Sequence, residues 1–255
     1  MLILNVILFL NKESEAVTYR FAGGIEWNSF IDAFSSTLDT TAWVILILLF
    51  ELETFVIPDE KLKGSLKWIL RILRSFSYII ICYAFYGYLV KYLWVADFEW
   101  ITASSLCDFS GQSWMIEADE FERIESKSCQ TLSQANEFLK KPNSNIITDA
   151  SHWKEAFRLA ITDILNSGAW ILVVLVLEID IWLQLKSQLR RKTYQPSKMI
   201  KGLLYTILLG AAIYWGYTGS LLEFWDAFLW IIAFIFIENN LFKWQTDTAV
   251  PTSIF

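Results

Sequence analysis

The chain has 255 residues, of which 55% are hydrophobic and 16% aromatic, and its formal net charge at pH 7 is −6. The hydrophobic share exceeds the roughly 45–50% of soluble domains, glycine included, and the apolar residues stand in long blocks. This composition favours a helical membrane protein whose first partner is the lipid bilayer. Nucleic-acid binding is disfavoured, and the basic run QLRRKTYQPSK suits a cytoplasmic membrane surface with anionic lipid.

The N-terminal segment, residues 1–39, opens with the apolar stretch MLILNVILFLN. This stretch is too short to cross a bilayer, and it lacks the basic region of a secretory signal. We expect it to lie outside the membrane core as an interfacial or packed segment. A weak, uncleaved signal peptide is the alternative.

Five later segments approach the about 20 apolar residues that a membrane-spanning helix needs. They cover residues 40–57, 68–95, 167–185, 200–218 and 224–242. They predict an all-α, polytopic membrane fold with two helical hairpins, residues 40–96 and 153–219, followed by a fifth span and tail at residues 220–255. Lysine and arginine concentrate in the connections 58–74 and 186–201, which predicts that both face the cytoplasm. The N-terminus is then outside and the C-terminus inside, and a bacterial inner membrane is the expected compartment.

Residues 97–152 form a small module that is expected outside the cytoplasm. The module contains ten acidic and four basic residues. Cys107 and Cys129 both fall in it, where an oxidising compartment permits a disulfide; two free thiols are the alternative. Residues 131–141 resemble a short helix that ends before Pro142.

A spacing of tryptophan and acid recurs in three of the predicted spans, in the stretches DTTAWVILILLFELE, NSGAWILVVLVLEID and DAFLWIIAFIFIENN. In each stretch a glutamate follows a tryptophan by eight residues, about 12 Å deeper along a helix. The pairs are Trp43 with Glu51, Trp170 with Glu178, and Trp230 with Glu238. A second acid, Glu53 or Asp180, follows in the first two copies. The pattern predicts pseudo-repeated hairpins, with the tryptophans as anchors at the outer interface.

Acids within a span cost about 2.5–3.5 kcal/mol each at the helix centre, so they require partners, protonation or water. Arg71 and Arg74 enter the second span at about the depth of Glu51 and Glu53 and are the expected charge partners. Five acids share these two arginines, so the surplus acids are expected to be neutral, hydrated or bound to cations. Two alternatives remain open: acids that extend to the cytoplasmic surface as topological anchors, or acids that contact another subunit.

No pattern in the sequence indicates an enzyme, a metal site or a cofactor. His152 is the single histidine, and no glycine-rich phosphate loop or Ser/His/Asp signature is present. The sequence therefore predicts an ion or proton pathway for a monovalent cation or H⁺, formed by a homo-oligomer that uses the repeated carboxylates. The alternative is a non-catalytic subunit that assembles a larger membrane complex with other membrane subunits.

Overall fold

The computed structural model describes residues 1–21, 24–25, 29–58, 61, 63–127, 129–133, 137–185 and 191–248. The side chains of residues 54–55, 130–131, 181–182, 184–185, 191–195 and 237–248 lie outside this description. The chain is mostly helical, at 74%. It divides into two compact units, Met1–Gly168 and Ala169–Phe255.

The first unit begins with four helices: α1 (Leu2–Arg20), α2 (Phe30–Ala33), α3 (Ser35–Glu51) and α4 (Gly64–Ala96). α3 continues into a π-helical turn, Leu52–Val56, before Pro58 ends the helical path. α3 packs on α4, and α1 packs on α3. α2 meets α4 closely at Gly87, where a Cβ atom would stand 2.8 Å from the carbonyl oxygen of Ile31. Only glycine lets the two backbones meet at this distance.

The module between α4 and the next long helix is a five-stranded sheet with a short helix, α5 (Cys129–Leu132). The strands are β1 (Glu99–Thr102), β2 (Ser113–Glu117), β3 (Glu120–Arg123), β4 (Glu137–Lys140) and β5 (Ile146–Asp149). Their order in the sheet is β1-β4-β5-β2-β3. The β2–β5 pair is parallel and the other pairs are antiparallel.

The predictions of an all-α chain and of a helix over residues 131–141 are therefore wrong in this module. β4 is buried on both sides of the sheet: Phe138 packs in one apolar cluster and Leu139 in the other. Consecutive apolar residues in a short strand cannot be told from one face of a helix by periodicity alone. The predicted disulfide is confirmed, since Cys107 and Cys129 are bonded with their Cα atoms 5.1 Å apart.

The sheet packs against α1 and α4 on one face and against the disulfide-linked segments on the other. On one face, Met115, Phe121 and Leu139 pack with Ala16 of α1 and Val95 of α4. On the other face a cluster that includes Trp114, Phe138 and Ile147 lies under the disulfide-linked segments. The module is thus held between its own disulfide and the ends of α1 and α4.

The long helix α6 (Ala150–Leu185) follows β5 directly. The carboxylate of Asp149 caps its start, because Oδ1 accepts hydrogen bonds from the backbone N–H groups of Ser151 at 3.0 Å and His152 at 2.9 Å. Trp153 Nε1 then donates to the carbonyl of Val95 at 2.9 Å, which ties the start of α6 to α4.

The second unit contains the remainder of α6 with α7 (Arg191–Thr218) and α8 (Leu221–Thr248). α7 and α8 form a tight hairpin, and Gly219 takes a positive φ of 92° in the turn between them.

Among the described residues, three helical segments are long and apolar enough to cross a membrane: Gly64–Ala96, Ala150–Asp180 and Pro196–Thr218. This agrees with a membrane protein. The first and fifth predicted spans fall on α3 with its π-helical turn and on α8. Five spans, like the internal repeat, remain predictions.

Candidate functional site

Five ionisable side chains form a buried network where α1, α2 and α4 meet the β2–β3 turn. Lys91 Nζ lies 2.5 Å from Asp119 Oδ2. Arg20 binds Asp32 through Nη2, at 2.9 and 2.8 Å from its two oxygens, and approaches Asp119 Oδ1 through Nη1 at 3.6 Å. Lys91 and Arg20 side chains are only 1% and 2% exposed. Together with Glu13, three carboxylates face two cations.

Glu13 places its carboxylate at the N-terminus of α3. Its Oε1 accepts from the backbone N–H of Ser36 at 2.8 Å, and Oε2 accepts from the N–H and hydroxyl of Thr37 at 3.1 and 2.6 Å. No side chain of α3 itself caps this end. A carboxylate from another helix therefore satisfies donors that the helix leaves open, and its charge suits the positive end of the helix dipole.

The two carboxylates nearest Lys91 have opposite pKa shifts. Burial raises the pKa of Glu13, and the charge of Lys91 and the hydrogen bonds from α3 only partly offset this effect. Burial acts in the same direction on Asp119, but Lys91 and Arg20 outweigh it and lower the pKa of that carboxyl. Environments that separate the pKa values of neighbouring acids are typical of proton-handling sites, so Glu13 is the better proton acceptor of the two.

A second polar layer lies next to the network, between α3 and α4. Asp39 of α3 accepts from the indole Nε1 of Trp43 at 3.0 Å and from the hydroxyl of Tyr88 at 3.3 Å. The charge of Asp163 on α6 acts on both Tyr88 and Lys91. The buried ionisable groups thus extend from the sheet into the helices of the first unit.

Of the predicted residues in the first unit, Glu53 and Arg74 form an ion pair through Oε2 and Nη2. Glu51 lies on an exposed position of α3. Arg71 places its guanidinium 5.1 Å from the ring centroid of Trp68. The π-helical turn after Glu51 brings Glu53 onto the α4 side, where Arg74 reaches it.

Of the predicted site residues in the second unit, Asp180 contacts two side chains of α7. Its Oδ2 accepts from the hydroxyl of Ser197 at 2.6 Å and lies 3.3 Å from Nζ of Lys201. Glu178 lies on an exposed position of α6. Glu238 belongs to α8, but its side chain is outside the described part.

The three repeated tryptophans lie inside helix packing. Trp43, Trp170 and Trp230 are each buried. In the second unit the ring of Trp170 lies 4.6 Å from that of Phe234, and the ring of Trp230 lies 6.4 Å from it. Trp170 of α6 thus packs against α7 and α8, and Trp43 donates its indole N–H to Asp39 of the same helix.

Sequence reasoning missed the buried network. One signal was present: Lys91 interrupts the apolar run of the second predicted span, and a lysine within a span requires a partner. Its partner Asp119 is 28 residues away, in a turn rich in acids, so no spacing rule selects it. Glu13 and Arg20 stand in a segment without a distinctive pattern.

Within the part of the chain that the structure describes, no group of three or more His, Cys, Asp or Glu side chains is arranged to hold a metal ion. No protein-family model matches the chain, and comparisons with curated proteins and with solved structures also found no match. Any function must therefore be argued from the chemistry of these residues.

Proposed function

We propose that this protein provides a pathway for protons or monovalent cations across a membrane, with the buried network as its outer ion-binding site. The network of Glu13, Arg20, Asp32, Lys91 and Asp119 is the observation that carries the proposal. Ionisable side chains buried at membrane helices are costly and mark ion and proton pathways. The network contains three carboxylates and two cations, and the charge of Lys12 also acts on Asp119. The step that we propose is the uptake of a proton by one of its acids.

Glu13 is the group that takes up the proton in this scheme. Its raised pKa favours the neutral acid, whereas Lys91 and Arg20 keep Asp119 ionised. A proton on Glu13 removes its charge from the N-terminus of α3 and leaves two carboxylates paired with two cations. The hydroxyl of Tyr88 and the carboxylate of Asp39 are the next polar groups along α4 and α3.

The inner part of the proposed pathway consists of the five acids of the repeat: Glu51, Glu53, Glu178, Asp180 and Glu238. Twelve residues of α3 separate Asp39 from Glu51, which is about 18 Å of helix. Proton transfer between Asp39 and Glu51 therefore needs water molecules between them. In a homo-oligomer, an interface between copies would supply this water. The exposure of Glu51 and of Glu178 supports this part of the proposal.

The proposed topology has five spans in a bacterial inner membrane. α3 with its π-helical turn and α8 are the two additional spans. α3 and the turn together contain 22 residues, or about 30 Å, which matches the hydrocarbon thickness. The lysine- and arginine-rich connections favour a topology with the N-terminus outside and the C-terminus in the cytoplasm.

The test is proton flux into liposomes that contain purified protein and a pH-sensitive dye, driven by a potassium diffusion potential. Wild type should dissipate the gradient, and Glu13→Gln should slow the flux at least tenfold because glutamine keeps one of the two acceptor oxygens but does not titrate. Glu15→Gln is the matched control, since Glu15 lies on the same helix and is exposed. Equal thermal stability of the variants establishes that folding is preserved.

An absence of flux from wild type between pH 5 and 8, or equal flux from wild type and Glu13→Gln, contradicts the proposal. A measurement with sodium in place of protons separates the two classes of ion.

A second function, a non-catalytic subunit of a larger membrane complex, is favoured by one observation. Glu53 pairs with Arg74, and Asp180 pairs with Lys201, so two of the deep acids are compensated within the chain itself. Such pairs hold helices together without transporting anything. A purified particle that is monomeric by light scattering and inactive in the flux assay would favour this function.

A further inference from the structure

One face of α4 is exposed along most of the helix, which is among those long and apolar enough to cross a membrane. The opposite face is buried and includes Ile81, Ala84 and Tyr88. Large exposed side chains recur on the open face at alternating steps of three and four residues, and we name this set the α4 row: Ile69, Ile72, Phe76, Ile79, Tyr83 and Tyr86. This is the spacing with which a helix meets a second helix in a left-handed pair.

Two tyrosines of the α4 row lie far from charged residues along the helix. Residues 75–90 contain no charged residue, and Arg74 and Lys91 bound them. Tyr83 stands about 12 Å along the helix from each of these two cations. Helical side chains lean toward the helix N-terminus, so Tyr86 leans away from Lys91 and toward the same central region. In a membrane, both hydroxyls therefore fall within the hydrocarbon and not at the interface, where tyrosine is enriched.

The hydroxyls of Tyr83 and Tyr86 form no hydrogen bond within the described part of the chain. The two residues are 46% and 55% exposed. Their rings stack on each other, with centroids 6.4 Å apart and planes inclined by 11°. Acyl chains neither donate nor accept hydrogen bonds, and a hydroxyl without a partner in an apolar medium is unfavourable. Lipid alone is thus a poor cover for the α4 row.

A second copy of the chain has the groups that these hydroxyls require. Copies in one membrane have the same orientation, so two α4 helices pair in parallel and each residue of the row meets its own counterpart across a two-fold axis. A tyrosine hydroxyl is both a donor and an acceptor, so Tyr83 is complementary to Tyr83 of a second copy. Ser75 and Cys82 flank the row and are exposed. Such small side chains allow two membrane helices to approach closely.

We propose that α4 of one copy packs against α4 of a second copy through the α4 row, with hydrogen bonds between tyrosine hydroxyls inside the bilayer. The inference deepens the proposed function, on whose homo-oligomer it rests, because it gives that oligomer an interface. Lys91 and Tyr88 belong to the buried face of α4, so each copy keeps its own buried network when the two rows pair.

The first test measures dimerisation of the full-length protein in liposomes. Copies fused at the C-terminus to a donor or an acceptor fluorescent protein are mixed, and Förster transfer is followed as the protein-to-lipid ratio falls. The double variant Tyr83→Phe/Tyr86→Phe removes only the two hydroxyls. It should weaken dimerisation about fivefold to tenfold, because each hydrogen bond between membrane helices is worth about threefold in the equilibrium constant. Tyr217→Phe, at an exposed tyrosine of α7, is the matched control and should leave dimerisation unchanged.

The second test locates the contact by oxidative cross-linking of single cysteines in a Cys82→Ser background. The variants are Phe76→Cys and Ile79→Cys in the α4 row and, as the control, Ile213→Cys in α7, where the replaced side chain is exposed to a similar extent. The two variants of the row should form covalent dimers, and Ile213→Cys should stay monomeric. The melting temperature of each variant in detergent should match that of wild type, since all these side chains are exposed within the chain.

Three results would overturn the proposal. Monomers at every protein-to-lipid ratio would mean that lipid or another protein covers the α4 row. Unchanged dimerisation in the double tyrosine variant, or equal cross-linking at all three positions, would mean that the copies meet elsewhere. The flux assay separates this inference from the proposed function: a dimer without flux contradicts only the pathway, and flux from a protein that stays monomeric contradicts only the interface.

Discussion

Replacing Lys91 with methionine should destabilise the first unit strongly. Nζ of Lys91 lies 2.5 Å from Oδ2 of Asp119, and the lysine side chain is 1% exposed. Breaking a buried pair by removing one partner typically costs about 3–5 kcal/mol, because the other charge stays behind without compensation. We expect the lower end, about 3 kcal/mol, because Arg20 Nη1 still approaches Asp119 at 3.6 Å. For a chain of this size, that corresponds to a fall in melting temperature of roughly 6–12 °C.

The assay is thermal unfolding followed by tryptophan fluorescence, on wild type, Lys91→Met, Asp119→Asn and the double variant. Asp119→Asn should recover part of the loss caused by Lys91→Met, since it removes the stranded carboxylate. Lys154→Met is the control: that lysine is exposed on α6 and its loss should stay within about 0.5 kcal/mol. Additive effects of the two changes, to within about 0.5 kcal/mol, would refute a direct interaction.

Three further changes test other parts of the fold. Asp149→Ala should remove the cap of α6 and cost about 1 kcal/mol at pH 7. Burial would raise the pKa of Asp149, but its hydrogen bonds outweigh burial and lower it below 3.8. Its stabilising contribution is then complete above pH 3.8 and is lost as the pH falls further, so the acid limb of a stability–pH curve should be shallower in Asp149→Asn. Reduction of the Cys107–Cys129 disulfide should lower stability by about 3 kcal/mol, seen as a lower melting temperature with reductant; an unchanged value would contradict a structural role. Gly87→Ala should cost about 1–3 kcal/mol in the same unfolding assay, since its Cβ meets a backbone carbonyl of α2. Gly210→Ala, with open space around it, should not destabilise, and equal losses at the two glycines would contradict the close contact.

Several elements could be predicted from the sequence because their causes are local. The apolar run over residues 68–95 predicts α4 (Gly64–Ala96) to within a few residues, since a long apolar helix satisfies its own backbone hydrogen bonds. The pairing of Cys107 with Cys129 follows from composition and compartment, because these are the two cysteines outside the predicted spans.

The sheet of the module at residues 97–152 could not be predicted in the same way. Its strands have four or five residues each, and β4 is apolar toward both faces. A strand this short exists because neighbouring strands supply its hydrogen bonds, and the parallel β2–β5 pair joins residues more than 30 positions apart. Periodicity within a short window contains no information about those neighbours.

The candidate site depends on tertiary structure even more. From the sequence alone, Lys91 is a cation that needs a partner and Glu13 is an acid in an undistinguished segment. The fold brings Asp119 of a turn to Lys91 and places Glu13 at the N-terminus of α3, 23 residues further along the chain. The tendency of a segment to be buried depends on its own apolar residues, so the sequence by itself indicates which segments are buried. Ion pairs and helix caps act over a few ångströms between distant segments, so only the tertiary structure decides which charges meet.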